Sequence, residues 1–243
     1  MKGWQKFGLA TLVLLLIAGV RIFLVWREHN APMIQKPQVE RRRLTDDDVV
    51  VPRKMYIVNL KEAKDLIGKT VWMQSGYSLD YYPYVAHHVD FAHKAGALPS
   101  IQELKIQDIV MQKAPAGHVS LIPLGDKQVF AVFRMANDPN DSKEYATAIG
   151  FMQGSDSTYS CDDIFYYDDP HQMYKHWPAD VWQAIDQHQV KPGMSELQTT
   201  MALGMMQQSD ASTMGDRTVD YNAGGKKWVV SFQHDKATTV KQE

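Results

Sequence analysis

The segment 157–182 holds the side chains of this chain that are best suited to ligating a metal ion. Four carboxylates and two imidazoles fall within 15 consecutive positions: Asp162, Asp163, Asp168, Asp169, His171 and His176. Their spacing differs from that of a calcium loop, which places acids at alternate positions around a glycine. The alternative is that Asp169 begins a turn at Pro170 and that the other acids face solvent or cap helices. These six residues are the candidate metal ligands, although they match no metal-ligand motif and no cofactor is predicted.

Cys161 is the one cysteine in the sequence and the first candidate for a nucleophile. It would need a general base, and His171 or His176 could serve only if the fold brought one of them close. An isolated cysteine is more often a small, buried apolar group. We therefore predict no catalytic residue. An extracytoplasmic hydrolase or metal-dependent enzyme that uses the 162–176 segment stays as an alternative.

Two groups of aromatic residues form the candidate interaction surface. They are Tyr81 and Tyr82, in a tyrosine-rich loop at 76–84, and Tyr166, Tyr167, Tyr174 and Trp177. Tyrosine and tryptophan are enriched at protein interfaces. Their rings can also stack on sugars, so a ligand- or polysaccharide-binding module is a further alternative. The competing interpretation, which the sequence favours, is that these rings pack between two folded units.

The elements that position these residues begin with an apolar run at 7–26. It contains 20 residues and a single charge, Arg21. As a helix it would span about 30 Å, the thickness of a bilayer's hydrocarbon core. Trp4 and Trp26 stand near its two ends, where tryptophan anchors helices at the membrane interface. A cleaved signal peptide would need a small-residue cleavage site, which the branched Val20 does not supply, so we predict a single-pass protein with the lipid bilayer as a partner.

Charge and cysteine content restrict the partners and the compartment. The net charge of −2 gives no electrostatic case for a nucleic-acid partner. The basic run 41–43 and the acidic run 46–48 lie in a proline-containing linker, 27–52, and largely cancel. Charge count alone favours a cytoplasmic body, whereas the short basic N-terminus, 1–6, is typical of an anchor that exports its C-terminus. One cysteine excludes an internal disulfide and fits either side of a bacterial membrane.

Residues 53–158 carry the pattern of a small, mainly antiparallel β domain. Short β-rich runs alternate with turn residues along this region, a pattern typical of a barrel or a sandwich. A short helix, capped by Asn59 and ended by Gly68, is predicted ahead of a strand at 70–73.

Residues 159–243 predict a unit of two helices followed by three strands. The first helix covers about 178–188, and the second begins at a capping box in which Ser195 and Gln198 bond reciprocally. Strands are expected near 218–221, 227–232 and 237–240. Two helices on one face of an antiparallel sheet make an α+β arrangement. The predicted fold class is therefore α+β, with one N-terminal transmembrane helix, a mainly antiparallel β domain and this C-terminal domain.

The C-terminal region, about 178–243, resembles the SmpA/OmlA (BamE-like) domain of bacterial envelope proteins. The residues that match its pattern are Gly193-Met194-Ser195, Gln198, Leu203-Gly204, Tyr221 and 228–232. The family usually has a proline shortly after the Leu-Gly pair, where this chain continues with Met205, and is commonly lipid-anchored through an N-terminal cysteine. The resemblance implies an envelope location, a non-enzymatic interaction role and a body outside the cytoplasmic membrane.

These features together predict a bacterial inner-membrane protein with a periplasmic body and a non-catalytic role in protein interaction or assembly. The expected partner is another envelope protein, contacted through the aromatic segment 159–177 and the terminal sheet.

Overall fold

The structure is a computed structural model that describes residues 15–16, 18–27, 45–136, 143–211 and 213–243. The chain divides into two units, Met1–Leu44 and Thr45–Glu243. Of the first unit, residues 15–16 and 18–27 are helical, and they include Arg21 and Trp26. Trp4 and most of the predicted linker lie outside the described residues.

The described helices contradict the prediction of a single-pass membrane anchor. None of the helices in the described ranges is both long enough and apolar enough to cross a bilayer. The predicted inner-membrane location is corrected on the same finding.

Nine strands of the second unit form one antiparallel sheet, which we call the large sheet. In chain order they are β1 (Thr70–Met73), β2 (Asp80–Val85), β3 (His88–Val89), β4 (Gly96–Ala97), β5 (Glu103–Gln112), β6 (Lys127–Met135), β7 (Tyr145–Gln153), β8 (Asp156–Tyr159) and β9 (Phe165–Tyr166). Their spatial order is β3-β2-β7-β6-β5-β1-β9, with β4 beside β2 and β8 beside β7. The short strands β3 and β9 therefore form the two ends of this order.

The central strands of the large sheet are apolar because both of their faces are covered. Residues 128–133 of β6 and 146–150 of β7 are buried without a break, the pattern of a strand with no solvent face. Gly150 lies where β7 meets β8. A Cβ at that position would lie 2.3 Å from the Thr158 carbonyl oxygen, so the two backbones approach this closely only at glycine.

Six short helical segments accompany the strands. They are a 3-10 turn at Asp46–Val49, α1 (Leu60–Lys64), α2 (Cys161–Ile164), α3 (Pro170–Met173), α4 (Ala179–Asp186) and α5 (Glu196–Leu203). Two caps predicted from the sequence are confirmed. The Asn59 carboxamide oxygen accepts a hydrogen bond from the Glu62 amide at 3.0 Å, and Ser195 and Gln198 form the reciprocal capping box of α5.

The remaining strands form a second antiparallel sheet, which we call the C-terminal sheet. Its strands lie in chain order: β10 (Met206–Ser209), β11 (Thr218–Ala223), β12 (Lys226–Gln233) and β13 (Lys236–Gln242). Tyr221, Val230 and Phe232 face inward and share one apolar cluster with Ile185 of α4 and Met201 of α5. The helices therefore cover one face of this sheet.

The two apolar cores meet at β1 and β9. Met73 of β1 pairs with Phe165 of β9, and both belong to the core of the large sheet. The next pair, Trp72 and Tyr166, points to the other face and packs in the core beneath the C-terminal sheet. Since side chains alternate along a strand, these two short strands serve both cores at once.

The predicted fold class needs correction in three respects. The described residues contain no membrane-spanning helix, and the structure is built mainly of two antiparallel sheets. The C-terminal sheet has four strands rather than three, because Met206–Ser209 pairs with β11. Residues Phe165–Tyr166, assigned to the C-terminal domain by sequence, form a strand of the large sheet.

A buried ion pair holds the connection between β10 and β11 against the start of α5. Glu196 is 3% exposed, and its carboxylate accepts hydrogen bonds from Nε and Nη2 of Arg217 at 3.0 Å and 2.5 Å. Its second oxygen accepts the Gly215 amide at 2.8 Å. The hydrogen bond to Glu196 raises the pKa of Arg217 above its ordinary value.

We expect Arg217→Met to lower the free energy of unfolding by about 3–5 kcal/mol, because it leaves a buried carboxylate without its charge partner. Urea titration followed by circular dichroism measures this loss. Lys94→Met is the matched control, since the Lys94–Asp80 pair, at 2.7 Å, is partly exposed on both sides. Its loss should be at most about 1 kcal/mol, and equal losses in the two variants would contradict the assignment.

Candidate ligand-binding cleft

Asp162 binds the backbone of a segment that is distant in sequence. Its carboxylate accepts the amides of Met55 and Tyr56 at 2.8 Å and 2.7 Å, and the Tyr167 hydroxyl at 2.9 Å. Asp163 lies in the first turn of α2, where its amide donates to the Ser160 carbonyl. These contacts hold the Asp162 carboxylate away from the histidines of the candidate metal set.

The other acids of the set also have structural partners. Asp168 forms an ion pair with Arg53 at 3.0 Å. Asp169 caps α3, where its Oδ1 accepts the amide of His171 at 2.9 Å. The His171 ring lies between two carboxylates, with Nδ1 3.0 Å from Asp169 and Nε2 3.1 Å from Asp186.

His176 lies in a different contact from His171. Its Nε2 is 2.5 Å from Oδ1 of Asp47, and the same oxygen accepts the Trp177 indole N–H at 2.6 Å. Throughout the described ranges, no three histidine, cysteine or acidic residues come together as a metal site. Five of the six candidate metal ligands are therefore held in capping, backbone and pairing contacts, all but Asp163.

The predicted aromatic interaction surface is mostly interior. Tyr82, Tyr166, Tyr167, Tyr174 and Trp177 are buried, and Tyr81 is partly buried against Phe133 and Tyr145. Trp177 stacks on Tyr174 at a centroid distance of 4.5 Å and packs against Trp182 at 5.1 Å. These rings form core, so the packing interpretation describes them and they offer little surface to a partner.

Cys161 is buried, as the interpretation favoured by the sequence expects. It is 1% exposed, and burial, followed by the charge of Asp162, raises the pKa of its thiol to about 12. A thiol held neutral in this way is a poor nucleophile at neutral pH.

We expect Cys161 to resist a thiol reagent such as DTNB at pH 8 while the chain is folded, and to react fully in urea. The folded pKa of the Cys161 thiol, about 12, also lies above its unfolded value of about 8.5, so the folded state keeps the thiol proton to higher pH. The contribution that this makes to the free energy of unfolding is lost as pH rises from about 9 toward about 12. Labelling kinetics measure the first effect. Rapid stoichiometric labelling of the native chain would contradict the burial.

A cleft of about 1020 Å³ lies between the large sheet and the C-terminal sheet. One wall comes from two loops of the large sheet, 77–78 and 97–100. The opposite wall comes from the residues that follow α4, at 187–190, from the end of α5 and the residues after it, at 202–205, and from the β11–β12 hairpin. Leu98, from one core, and Leu203, from the other, contribute to its lining.

Both helices of the C-terminal unit end at this cleft. After α4 the chain turns through His188, which adopts a left-handed backbone with φ of 52°. The His188 amide donates to Ile185 and the Gln189 amide donates to Ala184, the bonding of a Schellman motif. His188 Nδ1 is 3.1 Å from the Ala202 carbonyl oxygen near the end of α5, so it links the two helix ends.

The lining of the cleft mixes apolar and polar groups. Its described lining contains no Asp, Glu or Cys. Exposed carboxamides surround it: Gln187, Gln189, Gln207, Asn222 and Gln242. Tyr77 and Trp228 each present a half-buried ring, while Lys226 supplies the one formal positive charge of the lining.

Sequence analysis missed this cleft, apart from placing Tyr77 in a tyrosine-rich loop. The lining comes from segments that span residues 77 to 242, and each segment alone has the composition of an ordinary surface loop. Only the meeting of the two sheets brings the carboxamides together.

No protein-family model matches this chain, and comparison with curated proteins and with solved structures also gives no match. The geometry of the cleft is therefore the observation from which a function can be argued.

Proposed function

We propose that this protein is a non-catalytic binding protein and that the cleft between its two sheets is the ligand site. The observation that carries the proposal is the cleft itself. Its volume of about 1020 Å³ is at the upper end of the range of about 300–1,000 Å³ for small-molecule sites. A mixed apolar and polar lining is also typical of such sites.

The lining argues against catalysis at this place. Acid–base work on a ligand needs a titratable group within hydrogen-bond reach, and His188 is the histidine of the cleft. Its Nδ1 faces the Ala202 carbonyl oxygen. The buried Ser100 hydroxyl has no hydrogen-bond partner in the part of the chain that is described, so it is not paired with a base. A nucleophile activated by a base is therefore not assembled here.

A contact with a protein partner is the second candidate function. The resemblance of 178–243 to the BamE-like domain supports a non-enzymatic interaction role. The outer strands β10 and β13 each pair with one strand, and the backbone of β13 also bonds to Gly193 and Met194 at Ala237. The outer edge of β10, and that of β13 beyond Ala237, are the surfaces that this candidate would use, rather than the buried aromatic residues of 159–177.

The proposal is tested by an NMR screen of a fragment library against the ¹⁵N-labelled full chain. We expect bound fragments to shift the amide resonances of Gly204, Gly224 and Gly225, which line the cleft. Asn222→Trp should abolish most of these shifts, because Asn222 is exposed and lines the cleft, so a large ring there fills the space.

Thr239→Trp is the matched control. Thr239 is also an exposed strand residue, on β13, and it does not line the cleft. Fragment shifts that are scattered over the surface, or that survive Asn222→Trp as well as Thr239→Trp, would remove the cleft as the ligand site.

A further inference from the structure

The carboxamides of the cleft are available for a ligand. Within the described residues, the side chains of Gln187, Gln189, Gln207, Asn222 and Gln242 make no hydrogen bond to the rest of the protein. Each carboxamide offers two N–H donors and a carbonyl acceptor. A ligand that both donates and accepts hydrogen bonds at many positions matches this lining.

Two aromatic rings stand at the same cleft. Tyr77 packs against the core of the large sheet, and Trp228 packs against the core of the C-terminal sheet. Each ring is held by its own core while part of it remains exposed. A ring held in this way presents a flat apolar surface with little further loss of side-chain entropy on binding.

The electrostatics of the cleft favour an uncharged ligand. Helices α4 and α5 both end here, at Gln187 and Gly204, and the C-terminal end of a helix carries partial negative charge. That charge opposes an anionic ligand, which Lys226 alone would have to offset. A cationic ligand would find no carboxylate in the described lining and would be opposed by Lys226, so only the partial charge of the helix ends would attract it.

We propose that the cleft binds a neutral oligosaccharide, with sugar rings against Tyr77 and Trp228 and hydroxyl groups bonded to the carboxamides. The inference rests on the proposed ligand-binding function and names its ligand class. A sugar has both an apolar C–H face and a rim of hydroxyls that donate and accept, which is the combination that this lining offers. The volume suits a chain of several sugar rings rather than a single ring.

The bound sugar is released unchanged. Cleavage of a glycosidic bond generally takes two carboxylates on either side of the bond, about 5–10 Å apart. The described lining supplies none. A peptide is a weaker match, because an extended peptide is bound chiefly through aligned backbone groups of a strand edge, whereas side-chain amides dominate here.

Titration of the full chain with uncharged tetrasaccharides tests the inference. The probes are cellotetraose, maltotetraose, xylotetraose and tetra-N-acetylchitotetraose, with tetragalacturonate as the acidic comparison and a blocked Gly-Ser tetrapeptide as the peptide comparison. We expect at least one neutral tetrasaccharide to bind, and to shift the Gly204 and Gly224 amides and the Trp228 indole resonance. The acid and the peptide should cause no saturable shift.

Variants separate the two parts of the recognition. Tyr77→Leu keeps an apolar side chain but removes the flat ring, and Gln189→Ala removes one carboxamide. Each should weaken binding of the neutral tetrasaccharide by about tenfold. Gln233→Ala is the matched control, since Gln233 is an exposed glutamine of β12 outside the cleft, and its affinity should equal that of the unmodified chain.

The outcomes distinguish the inference from the function on which it rests. If fragments bind at the cleft but no neutral tetrasaccharide does, the ligand class is wrong and the binding function stands. Saturable binding of the peptide or of tetragalacturonate alone, or sugar binding that Tyr77→Leu and Gln189→Ala leave unchanged, also overturns the inference. If neither fragments nor sugars bind at the cleft, both proposals fall together.

Discussion

The structure of the second unit depends on the alternation of side chains in β1 and β9. Each strand is short, yet its successive residues point into two different cores, Met73 and Phe165 into one and Trp72 and Tyr166 into the other. The pairing joins residues that are far apart in sequence. β1 and β9 therefore contribute side chains to both cores at once.

The position of the cleft depends on these two shared strands. Ile101 comes just after the loop 97–100 and packs in the second core, so that loop is tied to the C-terminal unit at its base. The Ile101 amide donates a hydrogen bond to the Met73 carbonyl oxygen of β1 at 2.9 Å. The loop residues before Ile101 are left at the edge of the seam, facing the ends of α4 and α5, and the open space between them is the cleft.

The local elements were predictable where a few neighbouring residues determine them. The Asn59 cap and the Ser195–Gln198 capping box depend on side chains within three positions of each other, and both form. The aromatic segment was harder, because Phe165, Tyr166 and Tyr167 are adjacent in sequence and all buried. Phe165 and Tyr167 pack in one core and Tyr166 in the other, which no local pattern indicates. The six candidate metal ligands were grouped by sequence, whereas pairing with Arg53, Asp47 and Asp186 separates them. The cleft had no sequence signal, because its chemistry exists only after distant segments meet.

The burial of Cys161 has a practical side for the study of this molecule. With its one native thiol enclosed, the folded chain behaves toward maleimide dyes and spin labels as a cysteine-free scaffold. A single cysteine placed at an exposed position, such as Gln233 or Thr239, would carry the label alone. A pair of such cysteines, one on each sheet, would then report the distance between the two sheets while the native Cys161 stays in place.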